Sequence, residues 1–138
     1  MSYDVQQVEY FHASVKDGPG TAYELLTNIA ELGVNLLAFT AVPIGPTQTQ
    51  LTLFPEDPGK FAAECGKAGL ELDGPHHAVL VQGDDESGVL AAIHNRLRQA
   101  DLEFYAASGV VSGDGRFGYV IYFREKDCAA AMSIFHSE

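Results

Sequence analysis

The chain has 138 residues, a hydrophobic content of 46% and a formal net charge of −11 at neutral pH. Eight scattered Lys and Arg residues face nineteen Asp and Glu residues, which argues against partners such as nucleic acid or an anionic membrane, because both attract clustered positive charge. No apolar run approaches the roughly 20 residues of a membrane-spanning helix, and the first residues have no signal-peptide pattern, so we expect a cytoplasmic protein.

The first half of the chain predicts a strand, a helix, two strands and a second helix. Phe11, Ala13 and Val15 alternate with polar neighbours, as in a half-buried strand. The following apolar residues recur at helical spacing until a glycine stops the pattern. In chain order, we predict a strand at residues 8–15, a helix with Pro19 in its first turn that ends at Gly33, strands at residues 35–42 and 48–54, and a helix opened by Asp57 and Pro58 that carries Phe61, Ala62 and Cys65.

The second half predicts the same order of elements. A short apolar run is followed by a helical pattern, and a Gly-Asp-Gly sequence between two apolar runs favours a hairpin. In chain order, we predict a strand at residues 79–82, a helix at residues 87–100 with Ser87 as N-cap, strands at residues 103–111 and 117–123, and a helix at residues 127–135.

A shift of 68 residues lays the second half on the first without a gap. Gly20 then falls on Gly88, Val42 falls on Val110, and the apolar positions of the strands and helices coincide. Such a fixed period indicates a duplicated structural unit. We therefore predict two domains, residues 1–74 and residues 75–138, with Gly74-Pro75-His76-His77 in the linker between them.

The N-terminal segment is predicted to complete the second unit. Leu70–Leu72 can form a short last strand of the first unit, whereas its counterpart in the second unit would lie beyond residue 138. The same shift places Ser2–Asp4 on Leu70–Leu72. We infer that residues 2–7 supply the missing edge strand, either to their own second unit or to another chain, and the alternative is a frayed tail.

The predicted fold class is α+β, with two ferredoxin-like βαββαβ units whose antiparallel sheets carry helices on one face. The strands have apolar residues on both faces. In the second strand of the first unit, alternation would place Leu36, Ala38 and Val42 on one face and Leu37, Phe39 and Ala41 on the other. Strands of this kind are buried on both faces, so we expect a partner unit or a second chain to cover the face without helices.

Two segments of the first unit resemble the signature of the ACT domain. They are residues 15–20, a strand end followed by Asp-Gly-Pro-Gly, and residues 29–36, a helix end followed by Gly-Val-Asn-Leu. ACT domains are small regulatory modules that bind amino acids between neighbouring units. The resemblance therefore implies a non-catalytic regulatory protein that binds a small amino acid or related metabolite, forms a homodimer, needs no cofactor and acts on a possible enzyme partner.

The resemblance also implies a ligand site in the first unit. A helix start suits a carboxylate because its free amides and the positive end of the dipole point outward. Asp17 offers an acceptor for an ammonium group, and Asn35 offers both donor and acceptor. The alternative is that Asp17 caps the helix and Asn35 accommodates a bend. The ligand-binding residues carried over by position are Asp17, Gly18, Pro19, Gly20, Val34, Asn35 and Leu36.

The second unit departs from this signature. Its loop has no Pro-Gly and contains three consecutive acids, Asp84, Asp85 and Glu86, and Glu103 stands where the first unit has Asn35. Consecutive acids would repel a carboxylate. We expect the second site to be lost or to bind a cation.

Other chemistry is weakly indicated. The histidines show no metal-ligand spacing, so we predict no metal site, and the two cysteines are expected to be reduced thiols. An alternative function is a small ferredoxin-like barrel enzyme of the isomerase or monooxygenase type, and another is an interaction module without a ligand. The residue types behind these alternatives are His12, His76, His77, His94 and His136 for a metal, Cys65 and Cys128 as thiols, and His94, Tyr105, Tyr119 and Tyr122 for an enzyme cavity.

Overall fold

A computed structural model describes residues 3–136 of the chain. The predicted order of elements is confirmed except for the strand at residues 70–72, and β1 and β4 begin several residues earlier than predicted. The elements are β1 (Tyr3–Lys16), α1 (Thr21–Glu31), β2 (Leu36–Pro43), β3 (Gln48–Pro55), α2 (Pro58–Lys67), β4 (Asp73–Asp84), α3 (Val89–Gln99), β5 (Ala106–Val111), β6 (Arg116–Tyr122) and α4 (Glu125–His136).

The chain divides into two compact units. The first unit is Glu9–His76, and within the described residues the second unit joins residues 3–8 to residues 77–136. Both changes of unit fall inside a strand, one in β1 and one in β4. The predicted domain boundary between residues 74 and 75 stays a prediction, because compactness does not show which part folds by itself.

In the first unit, the strands lie in the order β2-β3-β1-β4, with β3 antiparallel to both of its neighbours. Phe11 on β1 and Leu53 on β3 are opposite each other and face α1 and α2. Ile29 of α1 and Phe61 of α2 complete this first core, in which all four side chains are at most 3% exposed. The apolar stripe of each helix is thus buried on one face of the sheet.

In the second unit, the strands lie in the order β1-β4-β6-β5. The edge position belongs to Tyr3–Val8 of the same chain, whereas Ser2 lies outside the described residues. Tyr3 packs edge-on against Phe135 with ring centres 6.4 Å apart, and Arg96 donates a 2.9 Å hydrogen bond to the Tyr3 hydroxyl. The predicted α+β fold class with ferredoxin-like units is confirmed.

The fourth strand of the first unit differs from the prediction. Leu70–Leu72 form no strand, and the predicted linker and the predicted strand at residues 79–82 are both parts of the long strand β4. Gly74 permits this arrangement, because a Cβ at that position would lie 2.9 Å from the carbonyl oxygen of Tyr10 on β1. Gly-Pro-His-His reads as a linker, yet the neighbouring strand overrides that local tendency.

Gly74→Ala is therefore expected to destabilise the protein by more than about 1 kcal/mol, because its φ of 149° and the nearby backbone both oppose a side chain. Gly66→Ala is the matched control. It lies inside α2 with open space around it, so the change should stabilise slightly. Urea unfolding followed by circular dichroism measures both. Equal stabilities of the two variants would contradict the close approach at Gly74.

Strand β2 is not buried on both faces, contrary to the prediction. The predicted double burial holds largely for β6, and β3 is also buried on both faces over most of its length, whereas Leu37 and Val42 of β2 are each 42% exposed and Phe39 is 39% exposed. A β-bulge between Leu36 and Ala38 also breaks the expected alternation, so Leu36 lies on the same face as Phe39. β2 is exposed because it is an edge strand of the first unit.

Candidate functional site

The loop at residues 17–20 is fixed to the turn between β2 and β3. The backbone N–H of Asp17 donates to the carbonyl of Thr47 at 2.8 Å. The hydroxyl of Thr49 donates to Oδ1 of Asp17 at 2.7 Å. The side chain of Asp17 therefore does not cap the helix. It lies exposed at the edge where β2 ends.

Helix α1 starts without a side-chain cap. Gly20 is its N-cap in the left-handed conformation, with a φ of 96°, and its carbonyl accepts the first helical bond from Glu24 at 2.8 Å. Pro19 lies before the helix, so the prediction that it starts the first turn was wrong. An uncapped helix start presents amides and the positive end of the dipole to solvent.

Helix α3, the first helix of the second unit, starts in the same way as α1. Helix α3 has Gly88 as N-cap with a φ of 85°, so the prediction of Ser87 was wrong. Asp85 is tied by its backbone N–H to Gly115 at 2.8 Å, and Asp84 pairs with Arg116 at 3.1 Å. The acids predicted to repel a carboxylate thus lie at an uncapped helix start.

Residues 34–36 lie beyond the other end of α1. Gly33, with a φ of 77°, ends the helix, and its carbonyl accepts a hydrogen bond from Nζ of Lys60 at 3.0 Å. The side chain of Val34 is buried in the first core. Asn35 is exposed, and its carbonyl accepts from the N–H of Glu56 at 2.9 Å.

Within a single chain, the first unit does not bring together the two groups of predicted site residues, 17–20 and 34–36. Helix α1 has 11 residues and is therefore about 16 Å long, and it separates Gly20 from Val34. Asp17 neighbours the β2–β3 turn, whereas Asn35 neighbours the end of β3. A ligand that contacts both groups would require the loop of one unit and the start of β2 of another.

The candidate side chains for an enzyme cavity form two separate pairs in the second unit. Nε2 of His94 lies 2.6 Å from the hydroxyl of Tyr119, at the edge of an open cleft of about 560 Å³ that His94 lines. Burial raises the pKa of Tyr119, which makes it a weaker acid. Tyr105 and Tyr122 form the other pair, with ring centres 6.1 Å apart. Residues 119 and 122 point to opposite faces of β6.

Several solved protein structures have a fold similar to that of this chain. Protein BT0572 from Bacteroides thetaiotaomicron superposes with a TM-score of 0.79 at 14% identity, over 95% of this chain and 88% of that one. The regulatory subunit of aspartate kinase from Thermus thermophilus, in its ligand-free form, gives 0.63 at 16% identity, over 98% and 93%. The chain has an ACT-domain fold.

A third structure, that of aspartokinase alpha and beta subunits, gives a TM-score of 0.61 at 19% identity, over 99% of this chain and 95% of that one. At these identities, the similarity establishes the ACT-domain fold and no finer property. No protein-family model matches the sequence, and no curated protein matches it. Among residues 3–136, no helix is long and apolar enough to cross a membrane.

Proposed function

We propose that this protein is a non-catalytic regulatory protein that binds a small amino acid or related metabolite between the first units of two copies of the chain. The observation that carries the proposal is the division of the candidate site. The uncapped start of α1 and the exposed Asn35 lie at opposite ends of one unit. Two copies can bring complementary halves together.

Edge strand β2 supplies the geometry for such a dimer. Edge strands present unpaired backbone groups that can add a further strand. Antiparallel pairing of two copies of β2 about a twofold axis would place the start of one β2 beside the end of the other. Because Asp17 is bonded to Thr47, the loop at residues 17–20 lies at the end of β2. Asn35 of one copy would therefore approach the loop of the other, at two equivalent sites.

The side chains at these sites match the two charges of an amino acid. The start of α1 suits the carboxylate, because its amides and dipole favour negative charge. Asp17 suits the ammonium group. Its Oδ1 accepts one hydrogen bond from Thr49, and a carboxylate has about four acceptor positions, so Asp17 retains capacity for a ligand. Asn35 could bind either group.

The fold comparisons support a regulatory role. Two of the similar structures are an aspartate kinase regulatory subunit and an assembly of aspartokinase subunits. By analogy, we propose that this protein acts in the cytoplasm and that ligand binding changes its association with itself or with an enzyme partner. A ligand can shift such an equilibrium only if it binds one state more tightly than the other.

A thermal-shift screen against the twenty amino acids tests the proposal. A ligand at 100 times its Kd should stabilise the folded state by about 2.7 kcal/mol and raise the Tm. Asn35→Ala should abolish the shift while the unliganded Tm stays within a few degrees. Asn95→Ala, an exposed asparagine on α3, is the matched control and should keep the shift. The proposal fails if no amino acid at millimolar concentration changes the Tm.

A further inference from the structure

A cluster of aromatic rings lies on one face of the first unit, apart from the candidate ligand site. It includes Tyr10 and His12 on β1 and His76 on β4, and the ring of Phe54 on β3 lies 5.1 Å from that of Tyr10. The two imidazole rings have centres 5.4 Å apart with an angle of 45° between their planes, and the ring of Tyr10 is 5.3 Å from each. Two histidines are thus held side by side by two neighbouring strands.

His76 has a ring nitrogen without a hydrogen-bond partner. Its Nε2 is buried and makes no hydrogen bond. Oδ2 of Asp73 lies 3.2 Å from this nitrogen, yet the two atoms do not meet in hydrogen-bond geometry. The carboxylate of Asp73 is therefore close enough to His76 to share a bound cation with it. Buried polar atoms without partners are rare and call for an explanation such as a bound ion.

The ring of His12 is oriented by a neighbouring strand. Its Nδ1 lies 3.1 Å from the hydroxyl of Thr52, a buried residue of β3. If Nδ1 carries the proton and donates to Thr52, Nε2 keeps the lone pair that binds a metal.

We propose that His12 and His76 form a two-histidine site for a divalent transition-metal ion of the zinc class. Imidazole is a preferred ligand of Zn²⁺, Ni²⁺ and Cu²⁺. Two imidazoles whose nitrogens lie about 2.0–2.1 Å from one tetrahedral ion have ring centres roughly 5 Å apart, close to the separation of His12 and His76.

Asp73 and water would complete this two-histidine site. Residues 3–136 contain no preformed group of three or more His, Cys, Asp or Glu side chains around one point. Asp73 is the nearest carboxylate, and its side chain is 74% exposed, so it can rotate towards an ion. The side chain of His76 is 38% exposed but its Nε2 is buried, so an ion reaches this nitrogen when Asp73 or the ring moves. The metal site is independent of the proposed amino-acid site.

Isothermal titration of the metal-stripped full chain with Zn²⁺ at pH 7.5 tests the proposal. We expect one ion per chain. His12→Gln and His76→Gln should each weaken binding by at least about tenfold, because each removes a ligand. His77→Gln is the matched control. It is the next residue on β4, and its Nδ1 is bonded to Glu125 at 2.6 Å, so its loss should leave zinc binding unchanged.

Histidine-ring NMR of the wild-type chain covers the case in which a variant fails to fold. Zinc should shift the Nε2 signals of His12 and His76 and leave those of His77 and His94 in place. The proposal is overturned if the wild-type chain binds no zinc, if binding survives both His12→Gln and His76→Gln, or if His77→Gln weakens it equally.

Discussion

Val42→Lys is expected to convert the proposed dimer into a monomer and to remove its response to amino acids. Val42 lies near the end of edge strand β2 and is 42% exposed in the single chain. In the proposed dimer, Val42 would lie beside the start of β2 from the second copy. A Lys on an edge strand opposes pairing with another chain, and we expect the dissociation constant to rise by about a hundredfold.

The internal repeat provides a control for this experiment. Val110 occupies the equivalent position on β5, the edge strand of the second unit, and is 73% exposed. Val110→Lys should leave both the dimer and the ligand response intact, because the proposed interface is on β2. Analytical ultracentrifugation measures the association, and thermal shift measures the ligand response. If Val110→Lys alone dissociates the dimer, the interface is on β5 and not on β2. A monomeric wild-type protein would refute the proposed dimer.

The order of elements could be predicted because its signals are local. Apolar spacing defines α1 and α3, and the N-cap at Asp57 is confirmed, since its carboxylate accepts from the N–H of Lys60 at 3.1 Å. The other helix starts show the limit of this reasoning. α1 and α3 begin after Gly20 and Gly88 in left-handed conformations, and a polar neighbour in the sequence does not reveal that.

Features that depend on distant strands could not be predicted. The start of β4 is extended because β1 lies beside it, although its own sequence suggests a linker. The exposure of β2 depends on which strand ends the sheet, and apolar periodicity does not contain that information. The bond between Thr49 and Asp17 joins residues 32 positions apart, so no local pattern indicates it.

The resemblance to ACT domains already predicts a candidate site shared between two units, and the helix length agrees with that prediction. The predicted helix between Gly20 and Gly33 is long enough to hold Asp17 and Asn35 about 16 Å apart, so one unit could not bind a small amino acid with both. In contrast, no pattern in the sequence indicates that the two histidines lie close together. His12 and His76 are 64 positions apart, and only the pairing of β1 with β4 makes them neighbours.

Phe61→Ala is expected to reduce the free energy of unfolding by about 3–5 kcal/mol. Phe61 is completely buried in the first core, with its ring centre 5.0 Å from that of Phe11. Removing the ring leaves a cavity that the sheet and α1 cannot close. Tyr23→Ala is the control in the same unit, since Tyr23 is 72% exposed and its loss should change stability by no more than about 0.5 kcal/mol. Because the chain has no Trp, circular dichroism during urea unfolding is the suitable measurement.

The same unfolding curves test whether the two units are coupled. Strands β1 and β4 each contribute residues to both units, so we expect the two units to unfold together. Phe61→Ala should therefore shift one cooperative transition to lower urea with an unchanged slope. Two separate transitions, with only the first displaced, would show that the units unfold independently. A loss no larger than that of Tyr23→Ala would contradict the burial of Phe61 in a packed core.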